Sequence, residues 1–265
     1  MELWWRYHGQ TLKAGEAVRK KLHNIDAALR HPLARQVTRA LFSEYRAQRL
    51  QAGRQPKTVN REQEMLGGVF SVLIDLGHYH HEHPLKEMKK VKLVDRPMGY
   101  LTQDEIGAIL AKLVGDNRKV IKLCLATGAR WSEAAGLRRE DMLAGRVTYI
   151  NTKNGKNRTV PISAALSKEV TQGINRGPLF RSMDYLQVRE VIKEVAPDLP
   201  AGQAVHVFRH TFASHFMMAG GNILALQKIL GHHNIQQTMT YAHFAPDYLS
   251  DAVRFNPLEN PLDAA

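Results

Sequence analysis

Between His206 and Tyr241 the chain runs HVFRHTFASHFMMAGGNILALQKILGHHNIQQTMTY, and few folds accept so many polar groups at set intervals among apolar ones. Residues three apart share a helical face, so His206 and Arg209 present an imidazole and a guanidinium together. Phe208, Phe212 and Phe216 recur every fourth position and read as the stripe that fastens this helix to a core. Asn222 is placed to cap a second helix whose Ile223, Leu226, Ile229 and Leu230 face inward, and Gly231 follows where a left-handed residue is wanted. A third helical segment from Asn234 carries Tyr241. His206, Arg209, His232 at the corner after Gly231, and Tyr241 thus come from three linked helices that can converge on one oxyanion, with a phenol beside it.

Such a stretch needs a scaffold, and 265 residues of which 44% are hydrophobic can bury one or two cores. A net charge of +12 asks for a polyanionic partner, nucleic acid first. Composition alone also admits a basic enzyme with no such partner. No run of about 18 apolar residues occurs, and MELWWRYHGQ lacks the basic-then-apolar order of a secretory signal. A soluble protein inside the cell, with no membrane partner, is expected. The single cysteine, Cys124 in IKLCLATGA, excludes an internal disulfide and most cysteine-based metal sites, and reads as a core thiol.

Residues 1–95 read as wholly helical. Val18, Leu22, Ile25 and Leu29 form one apolar face over Gly15–Leu29, and His31-Pro32 breaks it. Val37, Leu41, Tyr45 and Leu50 mark a second helix. Its other side carries Arg35, Arg39, Arg46 and Arg49, a face suited to a DNA backbone or to plain solvation. Thr58 begins a third helix with Leu66, Val69, Phe70, Leu73 and Ile74 as its core face. The run HYHHEHP offers four histidines, but spacings of one and two suit no single helix face, and a polar helix end and turn accounts for it better than a metal site. Lys86, Lys89, Lys90, Lys92 and Arg96 then form a basic linker ending at Pro97. The domain boundary is expected near 96, giving domains over 1–96 and 97–265.

In the second domain Thr102 and Glu105 compose a capping box. An apolar element over 119–127 ends in TGARWSE, where Gly128 permits a tight turn and Arg130 emerges at a helix start that favours an anion. Glu133 begins that helix. The one clear β signal is RVTYINTKNGKNRTVPI: Val147, Tyr149, Val160 and Ile162 alternate with polar residues about Asn154-Gly155, so a hairpin is predicted. Lys153, Lys156 and Arg158 on it are either edge protection or phosphate contacts on a movable arm. A further helix is expected over Leu179–Ala196. The fold class is mainly α with a small antiparallel β-sheet.

Taken in order, Arg130, a hairpin lysine, His206-x-x-Arg209, His232 after Leu-Gly, and Tyr241 compose a set that resembles the tyrosine recombinases, in particular the integrases of temperate phages. The resemblance covers nearly the whole chain. It implies a helical core-binding domain followed by a catalytic domain, with Arg130 and Glu133 opening the site, Lys153 as the best match to the family's hairpin lysine and Lys156 as the second. His206 and Arg209 match its His-x-x-Arg box, His232 its later histidine and Tyr241 its nucleophile. None of these positions is substituted. It further implies double-stranded DNA attachment sites as partner, a homo-tetramer on paired DNA with exchange of C-terminal tails, accessory DNA-bending and directionality proteins, and work at the nucleoid in the cytoplasm of a bacterial host. Many phage integrases begin with a small arm-binding domain, for which there is no room before Trp4.

The chemistry follows from the residue types. Displacement at a phosphodiester builds charge on the non-bridging oxygens, which Arg130 and Arg209 can clamp, with hydrogen bonds from His206 and His232. Tyr241, whose ordinary pKa is about 10, becomes a better nucleophile beside these cations, and its attack leaves a phosphotyrosine. Lys153 is suited to protonate the departing 5′ oxygen, and Glu133 orients its neighbours. No cofactor and no metal are expected, since two arginines supply fixed charge and no Asp/Glu cluster is at hand. The reading is strand cleavage, exchange through a Holliday junction and religation. A type IB topoisomerase-like relaxer shares this chemistry without a partner duplex. A catalytically idle DNA-binding regulator has no use for the intact set.

Overall fold

The computed structural model describes residues 1–93, 98–150, 157–200 and 202–246. It divides into two units, Met1–Asp95 and Arg96–Ala265. Lys153 and Lys156 at the hairpin tip, the end of the basic linker at 94–97 and the tail from 247 lie outside the described residues.

The first unit is built from α1 (Glu2–Tyr7), α2 (Gly15–Ala28), α3 (Arg39–Gln51) and α4 (Pro56–Asp75). Thr38 caps α3 by accepting from the Leu41 N–H. Pro56 occupies the first turn of α4, where its missing N–H costs nothing, so this helix starts two residues before the expected Thr58. Leu22, Ile25, Phe42, Leu66, Val69, Phe70 and Leu73 close the core with Trp4. Ile74 does not join it and is 37% exposed.

Helix ends at Asp75, and the irregular chain beyond it corrects the wholly helical expectation. Residues 86–91 are also not a free linker. Arg39 and Arg46 donate to the carbonyls of Lys86 and Lys89 at 3.0 and 2.9 Å, Gln63 donates to that of Met88 at 2.7 Å, and the Asn60 amide exchanges two bonds with Val91. The polar faces of α3 and α4 thus satisfy a strap of backbone that has no secondary structure of its own. In the histidine run, His83 donates to the Gly67 carbonyl at 2.9 Å and accepts from the Leu85 N–H, His78 stacks on Tyr7, and His81 lies edge-on to Tyr79.

The second unit contains α5 (Gln103–Lys112), α6 (Gly115–Thr127), α7 (Trp131–Ala135), β1 (Met142–Leu143), β2 (Arg146–Tyr149), β3 (Arg158–Pro161), α8 (Ala164–Thr171), α9 (Tyr185–Val195), α10 (Val207–Met218), α11 (Ile223–Leu230) and α12 (Gln236–Met239). The three strands form an antiparallel sheet in the order β1-β2-β3. Val147 pairs with Val160 and Tyr149 with Arg158, and Pro161 sits on the edge strand where no ladder donor is required. β1 and α8 were not legible beforehand. α9 starts at Tyr185, not near Leu179, because Asp184 caps it from there; Leu179 and Phe180 are buried ahead of it in irregular chain.

α6 packs along α10 at the centre of this unit. Ile121, Leu123, Val207 and Phe208 are buried in one cluster, while Phe212 and Phe216 turn to a second around Leu226, Leu230 and Tyr241. The chain entering the unit is pinned to the same helix: Leu101 N–H donates to Thr211 Oγ1, and its carbonyl accepts from His215 Nε2. No helix among the described residues is long and apolar enough to cross a membrane.

Candidate active site

Two left-handed glycines set the positions of the charged groups. Gly128 ends α6 with φ of 64°, and a Cβ there would lie 2.5 Å from Leu230 Cδ2 and 2.6 Å from Phe212 Cδ1. Only glycine allows the turn and the close packing together. Gly231 ends α11 with φ of 67° and lies against the Arg158 side chain.

Arg130 follows Gly128 as the cap of α7. Its side chain donates to Glu133 Oε1 at 2.7 Å, and its backbone N–H to Oε2 at 3.0 Å. This helix start is therefore occupied by its own carboxylate, and its N–H is not presented to an anion as expected. Arg158 donates to Glu133 Oε2 from the opposite side at 2.7 Å and lies over the Tyr149 ring, 4.5 Å from its centroid. Burial raises the Glu133 pKa, but the bonds from Arg158 and Arg130 and the charge of Arg158 overcome it, holding the carboxyl near about 2. Arg158 is thus a buried partner of Glu133 and not an edge charge; its Nε and Nη1 are buried without a hydrogen-bond partner.

Arg209 is almost wholly buried on α10. It donates from Nη1 to the Gly128 carbonyl at 2.8 Å and from Nη2 to the Leu230 carbonyl at 2.9 Å. Both carbonyls belong to C-terminal helix ends, which carry partial negative charge. Burial, then the charges of Arg130 and Arg158, bring its pKa down to about 10, which leaves it a cation. His206 is exposed at the end of a single 3-10 turn preceding α10, so the imidazole and guanidinium of the His-x-x-Arg pair sit in different settings.

His232 Nδ1 meets the Thr238 hydroxyl at 2.8 Å. Burial first, then Arg209, Arg130 and Arg158, push it down to about 4, so it is neutral at pH 7. Tyr241 is not on the third helix; it follows α12 and caps the 3-10 turn Ala242–Phe244. It is 3% exposed. Burial raises its pKa to about 12, against the pull of Arg209 and Arg130. The cations therefore offset part of that rise in this state without bringing the phenol's pKa below its ordinary value. Burial likewise pushes the Cys124 thiol up to about 12, in keeping with a core residue.

Arg130, Glu133, Arg209, His232 and Tyr241 are gathered closely enough for their charges to act on one another. Residues 99–247 match the phage integrase family, and residues 1–92 its N-terminal domain. The chain belongs to the phage integrase family. Its integrase relatives include that of Escherichia phage P2, 45% identical over 99% of this chain and 78% of the relative. The catalytic domain of the bacteriophage HP1 integrase is 46% identical, with a TM-score of 0.57 over 63% of this chain and 99% of that one. The Tn1549 transposon integrase, solved in complex with a circular intermediate DNA, shares the fold: TM-score 0.73 at 19% identity over 98% of both chains.

Two residues in direct contact with these side chains were missed in the sequence. Arg158 looked like one of several hairpin cations, and only the register Tyr149↔Arg158 turns it toward Glu133. His210 was overlooked beside Arg209. Its place four residues after His206 was the available signal, and its Nδ1 lies 2.8 Å from the Tyr241 hydroxyl. Among the described residues no group of three or more His, Cys, Asp or Glu side chains is arranged to hold a metal ion.

Proposed function

We propose that this site-specific DNA recombinase cleaves one strand of its attachment site by attack of Tyr241 on a phosphodiester, stores the bond as a 3′-phosphotyrosine, and rejoins strands through a Holliday junction. The gathering of Arg130 and Arg209 beside the buried phenol of Tyr241, with His232 under the influence of the same two arginines, carries the reading. A phosphodiester entering there meets guanidiniums that are held before it arrives, and preorganised charge of this kind stabilises a transition state without reorganisation. Glu133 fixes Arg130 and Arg158 in place. His206, exposed at the start of α10, adds a hydrogen bond to a non-bridging oxygen, and Lys153 protonates the leaving 5′ oxygen.

The domains on this reading are a core-type DNA-binding domain over 1–96 and a catalytic domain over 97–265. Double-stranded DNA is the partner, supported by the net charge of +12 and by the DNA complex of the Tn1549 integrase. Four copies act on paired duplexes, exchanging the tails after Tyr241, with DNA-bending and directionality proteins assisting at the bacterial nucleoid.

Tyr241→Phe removes only the phenol oxygen. It should bind its site as the parent does and form no covalent adduct with a nicked suicide duplex on a denaturing gel. A shifted protein–DNA band from the Phe variant overturns the assignment.

A further inference from the structure

The attacking phenol must lose a proton, and no residue so far assigned has been given that role. An arginine has no acceptor. His232 meets the Thr238 hydroxyl at Nδ1, and His206 is assigned to donate to a non-bridging oxygen. His210, on α10 next to Arg209, is the side chain whose ring nitrogen lies 2.8 Å from the Tyr241 hydroxyl. The two rings are tilted, with centroids 6.1 Å apart, and His206 stands edge-on to His210 at 5.7 Å.

We propose that His210 is the general base of this site, taking the phenolic proton of Tyr241 on Nδ1 as the phenol oxygen attacks phosphorus. The inference rests on Tyr241 being the nucleophile. In the step, the O–H bond of Tyr241 breaks and its proton passes to Nδ1, while the P–O bond to tyrosine forms. The bond from phosphorus to the 5′ oxygen breaks, and that oxygen takes its proton from the separate acid, Lys153. Religation runs the same path backwards: the 5′ hydroxyl attacks, tyrosine departs, and His210 returns the proton.

Charge supports the geometry. Burial, then His206 and Arg209, hold the His210 pKa down to about 4, so the ring is neutral at pH 7 and one of its nitrogens is an acceptor. With Tyr241 near about 12, the proton stays on the phenol in the empty site. A bound phosphodiester offsets the positive charge of Arg209, and the forming P–O bond drains charge from the phenol oxygen, so transfer accompanies attack and does not precede it. An idle site then keeps its nucleophile protonated.

The test is single-turnover cleavage of a nicked suicide duplex at saturating protein, between about pH 6 and 9. His210→Ala and His210→Asn should both slow adduct formation by about 10²–10⁴-fold while binding the half-site as the parent does. The residual rate should climb roughly tenfold per pH unit, following the tyrosinate fraction. A fluorinated tyrosine at 241, whose phenol is more acidic, should recover most of the loss in the His210→Ala background. Asparagine at the parental rate shows that a hydrogen bond suffices and overturns the proposal, as does an alanine variant that cleaves faster, the mark of a clasp holding the tyrosine back. Nitrogen-15 NMR of the unaltered protein should find Nδ1 of His210 unprotonated; a protonated Nδ1 overturns the proposal even where variants fail to fold. The Tyr241→Phe control stands apart: an adduct there defeats the nucleophile assignment, and no adduct there with parental His210 variants defeats only the base.

Discussion

Glu62 in the first unit and Glu133 in the second are both buried carboxylates held by arginine, and the charge around them differs. Glu62 takes two bonds from Arg49 and one from the Tyr45 hydroxyl. One anion meets one cation, and the carboxylate keeps the phenol protonated: burial first and then Glu62 push the Tyr45 pKa well above its ordinary value. Glu133 lies between Arg130 and Arg158, with Arg209 acting on the same group. One anion there faces three cations, so positive charge is left over, and the nearby phenol of Tyr241 is opposed by burial alone. The same residue types make a structural tie where charges cancel and a phosphate site where they do not.

Fixed charge cannot supply a proton, so the strongest probe of the comparison is the hairpin lysine. Lys153→Ala should slow cleavage of ordinary DNA by about 10²–10⁴-fold and approach the parental rate on a 5′-bridging phosphorothiolate, whose sulfur leaves unprotonated. Arg130→Ala should not be rescued, since its loss leaves non-bridging charge unopposed. Rescue of Lys156→Ala in place of Lys153→Ala would move the acid by one hairpin lysine.

Arginine for arginine, the two clusters should part. Arg209→Ala should cut single-turnover cleavage by about 10²–10³-fold, the usual effect of removing one oxyanion donor. Arg49→Ala should cost about 1.5–3 kcal/mol in a denaturant melt, the worth of a charged hydrogen bond, and leave the rate of bound protein within a few-fold. Equal kinetic loss in both would erase the distinction.

Acid should find the second cluster in two stages. His210 and His232 are held near about 4, below the ordinary value of about 6.5, so the unfolded chain binds more protons and stability falls as pH drops across that window. Glu133 is depressed to about 2, so its contribution, complete above about 4.3, is lost as pH falls toward 2. Urea melts of Glu133→Gln should lack the lower stage, on the order of 3 kcal/mol. An unchanged acid limb would show that the Arg130–Glu133–Arg158 contacts are not made in solution.

The smallest expected effect is in the first unit. Arg46→Ala, which frees the Lys89 carbonyl, should cost about 1 kcal/mol and leave the salt dependence of DNA binding unchanged. A salt slope reduced by roughly one would restore the arginine face of α3 as a phosphate contact.

Signals that act within a few residues were legible. The Thr102/Glu105 capping box, Asn222 as a cap, the left-handed Gly231, the tight turn at Gly128 and the antiparallel pairing of the two hairpin strands were read from the sequence and are found in place. Contacts between distant residues were not. Glu133 and Arg158 are 25 positions apart and His210 and Tyr241 31; no local period marks such pairs, and each residue passes for something ordinary on its own element. The strap over 86–91 was misread for a related reason: its basic side chains suggested a linker, while its backbone carbonyls are what bind it.

Arg209 carries one more consequence. Its guanidinium is moored to the carbonyls of Gly128 and Leu230, so the rotamer freedom of a long side chain, worth about 1.5–2 kcal/mol, is surrendered when the protein folds. A phosphate arriving later meets a cation already immobile and loses none of its binding energy to ordering it. A lysine at 209 would match the charge, but its single ammonium cannot span two helix ends as a fork does. It would have to be stilled by the DNA itself, at every encounter.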